Sequence, residues 1–193
     1  MKQWIISGAM LALISAAGSA MAAEHAGVEM ADTASVNGTE LVLNGMGLRE
    51  KGWFDVYVGG LYLEAPTSDA EAVIAGEGVS RVVLTFVRDV GSDKVVGGWD
   101  DGFANNNDAA TLEAIADRRE TFNGFFGDLQ DGEIKDDESM VFDMVPGEGT
   151  TVTIAGEKKG TIEGDDFAQA LRRIWFGPEP PDSNLKEGML GLD

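Results

Sequence analysis

Hydrophobic and polar positions change period several times along the chain, and each change predicts an element. Thr39 to Asn44 alternates as a strand and runs into a glycine-punctuated turn, Gly45-Met46-Gly47. Trp53 to Leu63 reads as a longer strand, in which Gly59-Gly60 marks a bulge or a close approach of backbone or ligand. Pro66 ends it, and Ser68 with Glu71 predicts a capping box for a short helix to about Ala75. Arg81 to Val87 is β-branched and apolar, a buried strand. After Ser92, an expected N-cap, Val95, Val96, Trp99 and Phe103 recur at helical spacing. A second helical stretch starts near Asp108 and carries Leu112, Ile115, Ala116, Phe122 and Phe126. Met140 to Val145, Thr150 to Ala155 and Gly160 to Ile162 predict three short strands. A last amphipathic helix, capped by Asp166 and Gln169, buries Phe167, Leu171, Ile174 and Trp175; Pro178, Pro180 and Pro181 stop it before a short tail. Strands and helices do not alternate strictly, which predicts an α+β chain: an antiparallel sheet with helices packed on one face, and a cleft between the layers.

The N-terminus stands outside this pattern. Lys2, the apolar run Ile5 to Ala17 and the small residues Ala20 and Ala22 have the layout of a secretory signal peptide cut after Ala22. The expected organisation is therefore a signal peptide over 1–22, a flexible leader over 23–37 and one domain over 38–193, in the periplasm or secreted. The 171 residues after Ala22 suffice for one core that buries about 70% of the unfolded chain's surface. No stable membrane insertion is expected after cleavage.

Charge and residue usage narrow the chemistry. The chain carries net charge −20, and residues 1–22 hold one Lys and no acid, so removing them leaves −21. Such a surface repels phosphate backbones and anionic headgroups, and no nucleic-acid partner is expected. With no cysteine and a single His, His25 in the leader, there is no thiol chemistry, no Ser–His–Asp triad and no His-based zinc site. The acidic stretch Asp131 to Glu138 reads as a solvated turn, with loose calcium binding as the alternative.

Basic residues are scarce, 14 in all, and so carry information. Arg49 lies beside a strand bearing Tyr57, where a guanidinium can hold a carboxylate or enolate by a two-pronged hydrogen bond. The plainer alternative is an ion pair with Asp55 or Glu50. Arg88-Asp89 reads as an ion pair locking a turn, and Arg172 and Arg173 as surface residues. Trp53, Trp99 and Trp175 fall on apolar faces. Gly97-Gly98 inside a helix costs about 1 kcal/mol per glycine, which implies that something packs closely against that turn, whether a sheet or a ligand.

The run Leu41 to Arg49, the run Phe54 to Glu64, Leu84 to Val90 and Trp99-Asp100-Asp101-Gly102-Phe103 resemble the chalcone isomerase-like family. Val145 to Thr151 and Asp166 to Gly177 are similar to its bacterial exported branch, and the likeness spans about Gly38 to Gly191. It implies an open-faced β-sandwich: a large antiparallel sheet backed by helices. In plant chalcone isomerases an arginine, a threonine, a tyrosine and an asparagine position the substrate and an ordered water. The arginine corresponds to Arg49, but Tyr57 stands at the threonine position, Gly91 at the tyrosine and Gly98 at the asparagine. With three of the four changed, active chalcone isomerase chemistry is not expected. Other branches of the fold bind fatty acids or haem, or assist partner proteins.

These readings converge on a periplasmic, non-catalytic binder of a small apolar carboxylate or fatty-acid-like ligand. Arg49 would neutralise the anion, Tyr57 donate a hydrogen bond and Trp99 wall the pocket. No cofactor is expected, haem being a minor possibility with Tyr57 or Met46 as axial ligand. The alternatives are an intramolecular lyase or isomerase using Arg49 and Tyr57, or an assembly partner with a filled cleft.

Overall fold

The computed structural model describes residues 22–127 and 129–192. The expected signal peptide, apart from Ala22, lies outside the described residues. In chain order the elements are β1 (Ala22–His25), β2 (Val28–Ala31), β3 (Thr33–Val36), β4 (Thr39–Lys51), β5 (Phe54–Leu63), α1 (Ala70–Ala75), β6 (Ser80–Phe86), β7 (Val90–Gly91), α2 (Ser92–Asn106), α3 (Ala109–Ala114), α4 (Ala116–Gly124), β8 (Glu133–Ile134), β9 (Ser139–Val145), β10 (Gly149–Ile154), β11 (Glu157–Ile162), α5 (Asp165–Phe176) and α6 (Ser183–Met189). Seven of these strands form one antiparallel sheet in the order β11-β10-β9-β6-β5-β4-β3. The α+β reading holds.

Alternation decides which face is covered. In β6, Val82, Leu84 and Phe86 are buried, and in β9 so are Met140, Phe142 and Met144; the register sets Val82 opposite Phe142 and Leu84 opposite Met140. The intervening positions carry polar cross-strand pairs, Arg81 with Asp143 at 2.5 Å and Thr85 with Ser139 at 2.9 Å. Helices cover the apolar face. Phe167, Leu171, Ile174 and Trp175 of α5 are buried as the helical spacing predicts, together with Val95, Trp99 and Phe103 of α2. Trp99 sits at the centre, its ring within 5.6–5.8 Å of Phe122, Phe126, Phe142 and Trp175.

Several expectations need correction. Residues 22–36 are three strands, not a leader. Ala26-Gly27 and Asn37-Gly38 both hold positive φ at both central residues, the requirement of a type I′ hairpin turn. β3 therefore extends the main sheet, and the β1–β2 hairpin lies on its outer face, where Val28 and Met30 pack with Met46 and Val58. Gly60 leaves the room that the Met30 sulfur fills, and the Tyr62 hydroxyl donates to the Ala31 carbonyl at 2.9 Å. Asp69 rather than Ser68 caps α1, and Asp166 holds Arg118 at 2.6 Å instead of capping α5. Arg172 is buried rather than superficial: its Nη2 donates to Ser80 Oγ at 3.2 Å, and burial lowers its pKa to about 10.

The largest correction concerns Gly45-Met46-Gly47. It is not a turn; β4 runs straight through it. The short tail is α6, whose backbone rests on β4. A Cβ at Gly47 would stand 2.5 Å from the Leu185 carbonyl oxygen, and one at Gly45 would collide with the carbonyl oxygen of Gly188. Leu185 and Met189 also fill the space beside Gly59. Asn44, the extra residue where the β4–β5 register shifts, donates to the Met189 carbonyl at 2.8 Å and accepts from the Thr67 amide at 2.7 Å. Because the obstacle at Gly47 is backbone, Gly47→Ala should destabilise the fold by about 1–3 kcal/mol. Urea denaturation checks this, and an unchanged midpoint would mean that α6 is not tightly seated.

Candidate functional site

The sheet's open end forms the candidate site. Arg49 of β4 pairs with Tyr57 of β5, but the next pair is Glu50 with Asp55, so Val56 is an extra residue in β5. Such bulges re-aim side chains next to functional sites. Here Val56 and Tyr57 both join the helix-facing core, beside Arg49. The Arg49 guanidinium carbon lies 5.4 Å from the Tyr57 ring centroid. Neither Glu50 nor Asp55 pairs with it: among the described residues no carboxylate lies within ion-pair distance of Arg49, and its buried Nε has no hydrogen-bond partner.

Arg49 faces a cleft of about 680 Å³ between the end of the β4–β5 hairpin and one face of α2, from Lys94 to Asn105. Lys51, Phe54 and Val56 line one side, Lys94, Gly98 and Asp101 the other, with Arg88 and Val90 between them and Pro180-Pro181 closing the rim. Four cations (Arg49, Lys51, Arg88, Lys94) meet three carboxylates (Asp89, Asp101, Glu179). In a chain with 14 basic and 34 acidic residues, this is a marked local excess of positive charge. Lys51, Arg88 and Lys94 were not singled out from the sequence as site residues, because only the folded hairpin and α2 bring them together.

A smaller recess of about 50 Å³ continues inward from Arg49 and Val56, lined by Tyr57, Leu84, Phe86, Trp99 and Ile174. Trp99 thus walls the site, but as part of the aromatic core that closes it. The Tyr57 hydroxyl accepts from Trp175 Nε1 at 3.3 Å, leaving its own proton free to donate. Burial raises its pKa, and the Arg49 charge offsets part of that. The phenol therefore stays neutral.

Three further expectations are revised by the site. Gly97 and Gly98 have no protein atom within 4 Å of where a Cβ would stand, so the sheet does not pack against that turn, and both glycines line the cleft. Arg88 does not pair with Asp89 but stacks over the Phe54 ring at 4.5 Å, while Asp89 accepts from the Asp136 amide. Trp53 is 97% exposed at the hairpin tip, not on an apolar face. Asn106 is an unanticipated positioning residue. It is buried at the end of α2, its amide donates to the Glu179 carbonyl at 2.8 Å and accepts from the Glu179 backbone N–H at 2.9 Å, and so it holds the proline rim. Met46 lies in the cluster with Met30 on the outer face, whereas Tyr57 belongs to the helix-facing core.

The charged and phenolic groups of the cleft are of the kind that can attract and orient an anion. Gly91, the residue before α2, and Gly98, which the resemblance sets at the tyrosine and asparagine positions of plant chalcone isomerases, have no side chain to offer.

A family model described as chalcone isomerase-like matches residues 22–191. No curated protein sequence matches the chain. The crystal structure of a fatty-acid binding protein of Arabidopsis thaliana is similar with a TM-score of 0.70 at 17% sequence identity, covering 88% of this chain and 96% of that one. At that identity the likeness is one of fold.

The Tyr57 environment makes a pH prediction. With the folded pKa above the ordinary phenol value of 10.0, the native state keeps a proton that the unfolded chain has released. The stability this contributes is intact below that value and is lost as pH rises through the folded pKa. Urea midpoints followed from neutral pH to above the phenol value should fall, and fall less steeply in Tyr57→Phe. An equal alkaline slope in both proteins would show that the phenol is not protected.

Proposed function

The chain belongs to the chalcone isomerase-like family, and from that premise we propose that it is an exported, non-catalytic binder of a small apolar carboxylate. The observation that carries this reading is Arg49: a partly buried guanidinium without a carboxylate partner among the described residues, facing a cleft where cations gather on an otherwise acidic molecule. The ligand's carboxylate takes the place of the missing ion-pair partner. Lys94 adds a second charge, and the neutral Tyr57 hydroxyl supplies a donor at the inner end. The apolar body lies along Phe54, Val56, Val90 and the proline rim. The fold shared with a fatty-acid binding protein supports the class of ligand. The recess behind Arg49, with room for roughly one or two waters, favours short or compact molecules over long acyl chains. Export is proposed from the signal-peptide layout of residues 1–22.

An intramolecular lyase on an enone is the competing reading, because Arg49 and Tyr57 face each other as such chemistry would need. It lacks side chains at Gly91 and Gly98. Titration calorimetry with carboxylates of graded length and their matched alcohols separates the two. Binding should require the carboxylate and weaken by about 10- to 100-fold in Arg49→Ala, the worth of a charge-assisted hydrogen bond. Unchanged affinity in that variant would overturn the assignment. Turnover of an enone, abolished by Tyr57→Phe, would select the lyase.

A further inference from the structure

Trp53, Phe54 and Leu192 are the large hydrophobics exposed among the described residues, and two of the three are adjacent at one hairpin tip. Neither is demanded by the turn. Lys51 pairs with Phe54, leaving the two-residue loop Gly52-Trp53, and Gly52 alone supplies the positive φ of 67°. A polar residue would serve at position 53, yet a tryptophan stands there 97% exposed, followed by a phenylalanine 59% exposed. The charge around this knob is also unlike the rest of the surface. Lys51 sits opposite Phe54, the Arg88 guanidinium lies 4.5 Å over the Phe54 ring, and Arg49 and Lys94 stand behind them in the cleft. Glu50 and Asp55 pair with each other one step further from the tip, alternating to the opposite face of the hairpin. Asp89, Asp101 and Glu179 are the acids on the cleft side.

We propose that this tip docks the protein onto the headgroup region of a phospholipid bilayer. Trp53 and Phe54 would enter the interface, and Lys51 and Arg88 would pair with lipid phosphates. Tryptophan is the side chain that membrane interfaces favour, an apolar ring with a polar N–H, and cations beside it find phosphate at the same depth. Complementarity of charge fixes the orientation. With net charge −20, most of the molecule is repelled by phosphate, so the cationic aromatic tip is the end that approaches. This is peripheral docking: among the described residues no helix is long and apolar enough to cross a membrane. The docking stands on the tip alone. In combination with the carboxylate reading, on which this one clause rests, it sets the cleft mouth against a surface that holds amphiphiles.

The test is co-sedimentation of the soluble protein with vesicles of phosphatidylethanolamine and phosphatidylglycerol in equal parts, and with phosphatidylcholine vesicles, at about 0.15 M salt. The parent should bind the phosphatidylglycerol vesicles. Its tryptophan emission should shift to the blue and be quenched by lipids brominated on the acyl chain, and both effects should shrink in Trp53→Ser, since Trp99 and Trp175 are already buried and Trp4 is common to both proteins. Trp53→Ser and Phe54→Ser should each weaken partitioning by about tenfold, the equilibrium worth of burying one aromatic ring. Lys51→Ala with Arg88→Ala should remove the preference for phosphatidylglycerol. The apolar run at Ile5 to Ala17 is common to parent and variants, so differences between them report the tip. Equal partitioning of the Trp53→Ser, Phe54→Ser double variant and the parent would overturn the proposal. So would failure of the parent to bind either vesicle. Self-association lost in the double variant, without vesicle binding, would assign the tip to a second copy of the chain instead.

Discussion

The last helix lies with its backbone directly on the backbone of β4, a closeness open only to glycine at positions 45 and 47. Much of the site's geometry descends from that contact. Seating α6 places Asp182, whose carboxylate caps the helix and accepts from the Glu50 amide at 2.9 Å, so the strand is tied down next to Arg49. It also fixes where the chain must run between α5 and α6. Lys186 donates to the Gly177 carbonyl at 2.8 Å, Asn106 holds Glu179, and the prolines between become the rim of the cleft. A tail packed by side chains alone would sit further out and leave the β4–β5 end without that wall.

The second determinant is electrostatic. A chain this acidic gains little from one more surface ion pair, and exposed pairs contribute only about 0–1 kcal/mol. An arginine held partly buried without a carboxylate is different, because desolvating a charge is costly unless a partner arrives. The Val56 bulge brings Arg49 and Tyr57 together at the cleft's inner end, and the aromatic cluster around Trp99 closes the space behind. The result is a recess of limited depth with a guanidinium at its mouth, the geometry on which the proposal of a compact carboxylate ligand rests.

Regular elements were legible in the sequence wherever one face is buried. The alternation of β6 and β9 and the helical stripe of α5 appear as read, since burying one face imposes a period on the residues themselves. Arg49 opposite Tyr57 was legible for the same reason, both lying on neighbouring strands of one hairpin. What escaped were features set by distant partners. Gly45-Met46-Gly47 looks like a turn until α6, nearly 140 residues later, explains it. Arg172 looks like surface until α1 and Ser80 enclose it. Gly97-Gly98 has the composition of a tight contact, yet no protein atom fills the space beside it and the pair lines the cleft. The β1–β3 segment is a different kind of miss: Asn37-Gly38 is a strong local hairpin signal, overridden in the sequence reading by the small, polar residues around it.

The central claim is that the cleft holds an apolar anion whose charge Arg49 meets. Native mass spectrometry of the protein purified from its own source, with organic extraction of whatever it carries, tests this most directly. The account predicts a bound molecule that bears a carboxylate and leaves on denaturation. A reproducibly bare protein that also takes up no carboxylate on incubation would contradict it.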